Sequence, residues 1–260
     1  MKTVYGPVPS RRLGISLGID PVCATKGNRI CSFDCTYCQL HTMGPVSHTT
    51  IRKVFVKTED VENDLKEALK HTSPDIITIS GSSEPTLALN LGEIIKSVKI
   101  ITELPVAILT NSSLLSKENV RKDLYKLDHV IAKLDASEFD IFKKINRPAD
   151  GIRLGEIINS LRLFRSEYQG KMSLQMMFIE DNISQAKSLA DLAVSIKPDE
   201  VQIDTPLRYS PVAPLPKDTL DEIRQIFTKS GLNAISIYDM KKPDTKPVNM
   251  KETLLRRPEL

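Results

Sequence analysis

Apolar positions along the chain fall into short runs that alternate with longer stretches of helical spacing. Residues 13–19 (LGISLGI) alternate and predict a first strand. Residues 75–80 (DIITIS) form an apolar run stopped by Gly81, which predicts a buried strand. Similar runs at 105–110, 129–134, 172–180, 200–204 and 234–238 predict further strands. Between them, Val61, Leu65, Ala68 and Leu69 mark one face of a helix that Thr58 can cap. Further helices are predicted over 89–102, 138–145, 152–168, 184–196 and 217–227, and another with Val120, Leu124 and Leu127 on one face and Ser116 as cap. Strands alternating with helices in this way predict a parallel sheet covered by helices. An open or partial barrel fits the string, and so does a doubly wound sheet. Residues 21–50, rich in Gly, Pro, Ser, Thr and Cys, predict one long loop, and a loop of that length in a compact domain is usually functional. After Tyr238 the chain becomes polar and basic, so residues 1–238 are expected to form the barrel domain and residues 239–260 a basic tail or docking segment.

Composition narrows the function classes. Hydrophobic residues at 40% and charged residues at 27% match globular usage and exclude disordered, collagen-like and coiled-coil chains. Aromatics make up only 5% and tryptophan is absent, which argues against a stacking surface for single-stranded nucleic acid. No apolar run approaches the roughly 18 residues of a membrane span. The opening MKTVYGPVPSRR lacks the apolar stretch of a secretory leader, so a cytoplasmic protein without membrane attachment is expected. The net charge is only +3, but residues 1–57 carry eight basic residues against Asp20 and Asp34. That segment could meet an anionic ligand or form a solvated face.

Cys23, Cys31, Cys35 and Cys38 lie within 16 residues, and the rest of the chain has no cysteine. A disulfide framework would spread its bridges over the fold. Four thiols crowded into one loop read as metal ligands instead. Cys31, Cys35 and Cys38 have the spacing C-x3-C-x2-C, which lets three thiolates wrap one face of a compact cluster. A 4Fe–4S cube held by three cysteines leaves one iron without a protein ligand, and open metal sites are catalytic by default. The sulfur-only donor set favours iron–sulfur over magnesium or calcium. The alternative is a zinc knuckle with Cys23 as fourth ligand, although the spacing is unusual for zinc and no histidine stands at finger spacing.

The C-x3-C-x-Tyr-C pattern after a first strand resembles the radical S-adenosylmethionine (SAM) superfamily. GPVPSRRLG (6–14), CTYCQL (35–40), SGSSEPT (80–86), TNSSLL (110–115), KLDA (133–136) and KINRP (144–148) are similar, in order and spacing, to the wyosine-synthetase-like iron–sulfur oxidoreductases. The resemblance implies a partial (β/α)6 TIM-like barrel with the cluster at the C-terminal ends of the strands. It implies a 4Fe–4S cluster and SAM as cofactors. SAM would chelate the open iron, and reductive cleavage would give a 5′-deoxyadenosyl radical that abstracts hydrogen from substrate. An electron donor such as a ferredoxin or flavodoxin is implied as partner, with tRNA or another anionic molecule as substrate.

Carried onto this chain, the resemblance places Ser80, Gly81, Ser82, Ser83 and Glu84 at the SAM amino group and Tyr37 near the adenine. Serines stand here where the family's GGEP-type motif usually has small glycine-type residues. Asn111, Ser112 and Asp135 follow strand ends, where barrel sites gather, and are candidates for ribose or methionyl contacts. Their bland reading is capping of the next helices. Lys133 and Asp135 share one strand face and are the candidate catalytic pair. Gln175 and Met177, then Gln202 and Asp204, alternate on later strands, so Gln175 and Gln202 are expected to face the cofactor. Arg11 and Arg12 are candidates for an anionic substrate, and Asn146-Arg147-Pro148 for closing part of the site.

Wyosine-forming relatives need a second cluster with three further cysteines, whereas this chain offers only Cys23. Lys26 resembles in position the Schiff-base lysine of those enzymes. Those relatives also often continue past Arg256-Arg257-Pro258 into a small helical module. Two other readings stay open: an iron–sulfur electron-transfer or metal-binding protein without SAM turnover, and a radical SAM enzyme acting on a peptide or small metabolite. The first would have no need of the Glu84 and Asn111 motifs.

Overall fold

The computed structural model describes residues 2–258. In chain order its strands are β1 (Val4–Ser10), β2 (Gly14–Ile19), β3 (Arg29–Cys31), β4 (Val46–His48), β5 (Ile76–Ile79), β6 (Val106–Thr110), β7 (His129–Lys133), β8 (Lys171–Met177), β9 (Glu200–Asp204) and β10 (Ala234–Ser236). The helices are α1 (Thr58–Leu69), α2 (Leu91–Ile101), α3 (Glu118–Leu124), α4 (Phe139–Asn146), α5 (Leu154–Glu167), α6 (Ala186–Ile196), α7 (Lys217–Lys229) and α8 (Met250–Arg256).

An eight-stranded sheet runs β1-β2-β5-β6-β7-β8-β9-β10, and a two-stranded ribbon pairs β3 with β4. Every neighbouring pair from β2 to β10 is parallel, and only β1 runs antiparallel, against β2. A doubly wound sheet reverses its strand order at a switch point. Here the parallel strands follow one another in chain order without reversal, so the fold is the partial barrel. The sheet stays open, because β1 and β10 are its two edges. Apolar side chains such as Leu17, Ile77, Ile79, Ile108 and Val130 bury almost completely.

Two expected caps are corrected. Thr58 is the first residue of α1, behind Lys57, and its hydroxyl accepts from Asn90 Nδ2 at 3.0 Å, joining α1 to the start of α2. Ser116 also stands outside its helix, which begins after Lys117. No helix among the described residues is long and apolar enough to cross a membrane.

The segment after β10 returns to the other edge of the sheet. Val248 N donates to Gly6 O at 2.7 Å, and Gly6 N donates to Thr253 Oγ1 at 3.0 Å, so α8 lies against β1. Arg256 anchors it: Nε meets Asp20 Oδ2 at 3.0 Å and Nη1 meets Glu252 Oε2 at 2.7 Å. Covering an edge strand this way removes a template for unwanted pairing.

Candidate active site

Because the strands are parallel, their C-terminal ends share one edge, and the long loop folds over it. Cys31 ends β3, while Cys35 and Cys38 sit in the turns that follow, with Cys38 N donating to Cys35 O at 3.0 Å. The loop is pinned to the end of α4: Thr36 N donates to Ile145 O at 2.9 Å and Asp34 N to Asn146 O at 3.1 Å. Phe33 packs edge-on against Phe142, ring centres 5.5 Å apart.

Under this loop lies a cavity of about 250 Å³ lined by Cys31, Cys35 and Cys38. The β5 end contributes Ser80 to Glu84, the β6 end Thr110 and Asn111, β7 Lys133, and β8 Gln175 and Met177; Tyr37 lines the cavity from the loop. Gly81 is required by its geometry. Its φ is +146°, and a Cβ there would stand 2.4 Å from Asp20 Cγ. Asp20 Oδ2 accepts from Ser82 N at 3.1 Å and Ser82 Oγ at 2.7 Å, which fixes the start of the β5 loop.

Glu84 is buried and tied to the neighbouring strand end. Oε1 accepts from Thr86 N, Thr86 Oγ1 and Thr110 Oγ1 at 3.0, 2.6 and 2.7 Å, and Oε2 from Asn111 N at 2.6 Å. Burial pushes its carboxyl above the ordinary value, and these donors pull against the rise. A carboxylate has about four lone-pair sites, so Oε2 keeps acceptor capacity for a cationic ligand group. Ser83 Oγ, also in the cavity wall, is buried without a hydrogen-bond partner.

Two asparagine amides reach the cysteine sulfurs. Asn111 Nδ2 stands 3.8 Å from Cys31 Sγ and donates to Ser32 Oγ at 2.8 Å. Asn146 Nδ2 lies 3.6 Å from Cys35 Sγ, 2.7 Å from Tyr37 Oη and 2.9 Å from Asp135 Oδ2. Burial is the main force that pushes the Cys31 thiol up to about 12 and the Cys35 thiol up to about 11. Holding these sulfurs as thiolates therefore calls for a cation, and an all-sulfur set suits iron. Among the described residues no three His, Cys, Asp or Glu side chains converge as a single ion would need. Cys23 stands apart from the cavity wall, its Sγ 3.1 Å from Asp20 O and 3.3 Å from Arg256 Nη2. It is not placed as a fourth ligand of a zinc knuckle. The sulfur set, the orphaned Ser83 hydroxyl and the Glu84 acceptor fit a cluster with an amine-bearing cofactor beside it.

Three expected contacts lie behind the wall. Ser112 is buried with φ +69° and donates to Lys133 O at 2.9 Å. Asp135 accepts from Tyr37 Oη and from Met177 N at 2.8 Å, and lies 3.5 Å from Lys133 Nζ. Of this pair only Lys133 lines the cavity, with Nζ 4.6 Å from the centre of the Tyr37 ring. Gln202 pairs in register with Gln175 on the next strand but does not line the cavity, and its amide donates to Glu200 Oε1 at 2.8 Å. Alternation gives the face of a strand but not which neighbour on that face a side chain will bond. None of Asn111, Ser112 or Asp135 caps a helix; those positions belong to Lys117 and Glu138. Lys26 is exposed and does not line the cavity.

An open parallel barrel carrying a three-cysteine loop at its strand C-termini defines the class of radical SAM enzymes. The description "Radical SAM superfamily" matches residues 26–193, and the chain belongs to that superfamily. Its members use a 4Fe–4S cluster and SAM, and this protein is an enzyme of that type. It is 41% identical over 212 residues to the UPF0026 protein slr1464 of Synechocystis, covering 80% of this chain and 77% of that one. A 35% identity over 272 residues links 99% of this chain to only 39% of the GTPase Obg of Brachyspira hyodysenteriae. Two solved structures share the fold. Streptococcus suis SuiB bound to the precursor peptide SuiA has TM-score 0.65 at 16% identity, over 87% of this chain and 50% of that one. TYW1 with a lysine-pyruvate adduct bound has TM-score 0.59 at 15% identity, over 84% of this chain and 75% of that one.

Proposed function

We propose that Cys31, Cys35 and Cys38 ligate the 4Fe–4S cluster, with one iron left to SAM, and that the enzyme takes hydrogen from an anionic substrate. The observation that carries this reading is that the three cysteines of one loop line a single cavity with Glu84, Asn111 and Ser83. When bound, the cluster and SAM supply one-electron cleavage of SAM and hydrogen abstraction. The chain supplies the rest. Glu84 offers its remaining acceptor site to the SAM amino group, with Ser80 to Ser83 closing round it. Asn111 and Asn146 donate toward the ligand sulfurs, the kind of outer contact that tunes a cluster. Lys133 and Gln175 stand on the substrate side, and Asp135 holds Tyr37 and Lys133 in position. A ferredoxin or flavodoxin supplies the electron. Anaerobic reconstitution followed by SAM and dithionite tests the reading, with 5′-deoxyadenosine as the expected product. A filled cluster that makes none, with candidate substrates present, contradicts it.

A wyosine-type reaction on tRNA is the second reading, favoured by the six similar motifs. The second cluster of that reaction would need ligands from outside this chain, whose only further cysteine is Cys23. Reaction with a tRNA fragment that yields no modified base rejects it.

A further inference from the structure

A second chamber of about 200 Å³ adjoins the cysteine cavity. The two share Arg12, Gln39, Gln175, Met177 and Arg208 in their walls. The chamber also presents Arg11, Arg257 and Lys242, while Asp204 is its single carboxylate. Asp204 is already engaged, with Oδ2 2.5 Å from Arg12 Nη1 and 2.6 Å from Gln175 Nε2. Arg11 is exposed and donates to Met240 O at 2.7 Å. Lys242 is exposed and screened by water.

Arg208 and Arg257 are left. Arg208 Nη1 is buried with no hydrogen-bond partner. The Arg257 guanidinium has neither a hydrogen bond nor an ion pair among the described residues. Burial, then the neighbouring charges of Arg257 and Arg12, hold the Arg208 guanidinium down to about 9. Burial lowers Arg257 as well, and Arg12 adds to that while Tyr5 opposes it. Folding therefore gathers two guanidiniums beside a third, and the one carboxylate in the chamber, Asp204, is bonded to Arg12 rather than to either of them. Both residues are half-buried, and the Arg208 Nη1 group, fully buried and unpartnered, is the one that most needs an acceptor from outside the chain.

We propose that this chamber is a subsite for the phosphate group of a small phosphomonoester substrate, held by Arg208 and Arg257 with Arg12 beside them. The word substrate rests on the radical SAM reading above; the anion site itself does not. A phosphomonoester carries about −1.5 to −2 charges near neutral pH, which matches two unpaired cations. A single carboxylate would leave one of them unmatched. Arginine forks also suit the oxygen geometry of phosphate. The cations converge on one small chamber, whereas a polynucleotide backbone is tracked along an extended basic groove. A phosphate seated here puts the remainder of its molecule toward Gln175, Met177 and the cysteine cavity, where the hydrogen would be taken.

Calorimetric titration of the anaerobically reconstituted enzyme tests this with four probes: inorganic phosphate, pyrophosphate, succinate and unfractionated tRNA. SAM affinity and iron content are measured alongside. Phosphate and pyrophosphate are expected to bind, and succinate to bind more weakly. Arg208→Gln and Arg257→Gln should each weaken phosphate by about tenfold or more, and Arg257→Gln, whose side chain lies outside the cysteine cavity, should leave melting temperature, iron and SAM affinity unchanged. Asp204→Asn, which removes the opposing carboxylate, should tighten phosphate. The proposal falls if wild-type enzyme ignores phosphate, or if neither arginine substitution matters. It also falls if both substitutions weaken SAM instead, which would give the chamber to the methionyl carboxylate. Binding of tRNA that phosphate cannot displace would assign the face to a polynucleotide and overturn it too. Phosphate binding without SAM cleavage would reject the radical SAM reading and keep the subsite; cleavage without phosphate binding would do the reverse.

Discussion

Arg256→Met removes one member of a buried ion pair and keeps the bulk. The Asp20 and Arg256 side chains are each 1% exposed, with Nε 3.0 Å from Oδ2. Arg256 also donates to Glu252 Oε2 at 2.7 Å and Lys2 O at 2.8 Å. Stranding one partner of such a pair costs about 3–5 kcal/mol. Asp20 is not wholly stranded, because it still accepts from Val22 N, Cys23 N, Ser82 N and Ser82 Oγ. The expected loss is therefore at the lower end, about 3 kcal/mol. At about 2–4 °C per kcal/mol for a chain near this size, the melting temperature should fall by about 6–12 °C. Thermal and urea unfolding of Arg256→Met, Asp20→Asn and the double variant measure this. The double variant should lose less than the two singles together, by at least about 1 kcal/mol. Since Asp20 also fixes Ser82, SAM affinity should weaken in Arg256→Met. A melting shift within about 2 °C, or strict additivity, would refute the claim that this pair locks the C-terminal helix and the β5 loop together.

Three further outcomes follow from the geometry. Gly81→Ala, at φ +146° with a Cβ 2.4 Å from Asp20 Cγ, should lose about 2 kcal/mol in urea unfolding, and a neutral result would contradict the close approach. Asn146→Leu removes the amide 3.6 Å from Cys35 Sγ and should lower the cluster's reduction potential at unchanged iron content, by the equivalent of about 1 kcal/mol; an EPR-monitored redox titration with no shift would reject the contact. Burial holds the His129 imidazole down to about 4 in the folded protein, against an unfolded value of 6.5. In that interval the unfolded chain binds more protons, so stability present above pH 6.5 drains away as pH falls toward 4, by up to about 3 kcal/mol for this buried residue. Urea midpoints across this range should slope for the wild type and flatten in His129→Gln; equal slopes would assign the effect to other groups.

The central strands were legible because each is an apolar run buried on both faces, as in Ile76–Ile79 and Val106–Thr110. β1 was not, because Gly6, Pro7 and Pro9 break any strand pattern. It survives as an edge strand paired on one side only, with an irregularity between Tyr5 and Val8. α8 was invisible to hydrophobic periodicity because the side chains it buries are Glu252, Thr253 and Arg256, held by pairing rather than by apolar contact. The three-cysteine loop could be read from local spacing. The withdrawal of Ser112, Asp135 and Gln202 from the cavity could not, since it depends on the partners they find in the fold: Lys133 O, Met177 N and Glu200. The arginine chamber draws Arg12, Arg208 and Arg257 from distant parts of the chain, and only the open barrel and the returning tail bring them together.

The most direct test of the central claim is iron and 5′-deoxyadenosine measured together on anaerobically reconstituted wild type and four single Cys→Ala variants. Wild type should hold about four irons per chain and release 5′-deoxyadenosine from SAM under dithionite. Replacing Cys31, Cys35 or Cys38 should abolish both, and replacing Cys23 should leave both in place. Zinc as the only bound metal, or loss of the cluster on replacing Cys23, would contradict the account.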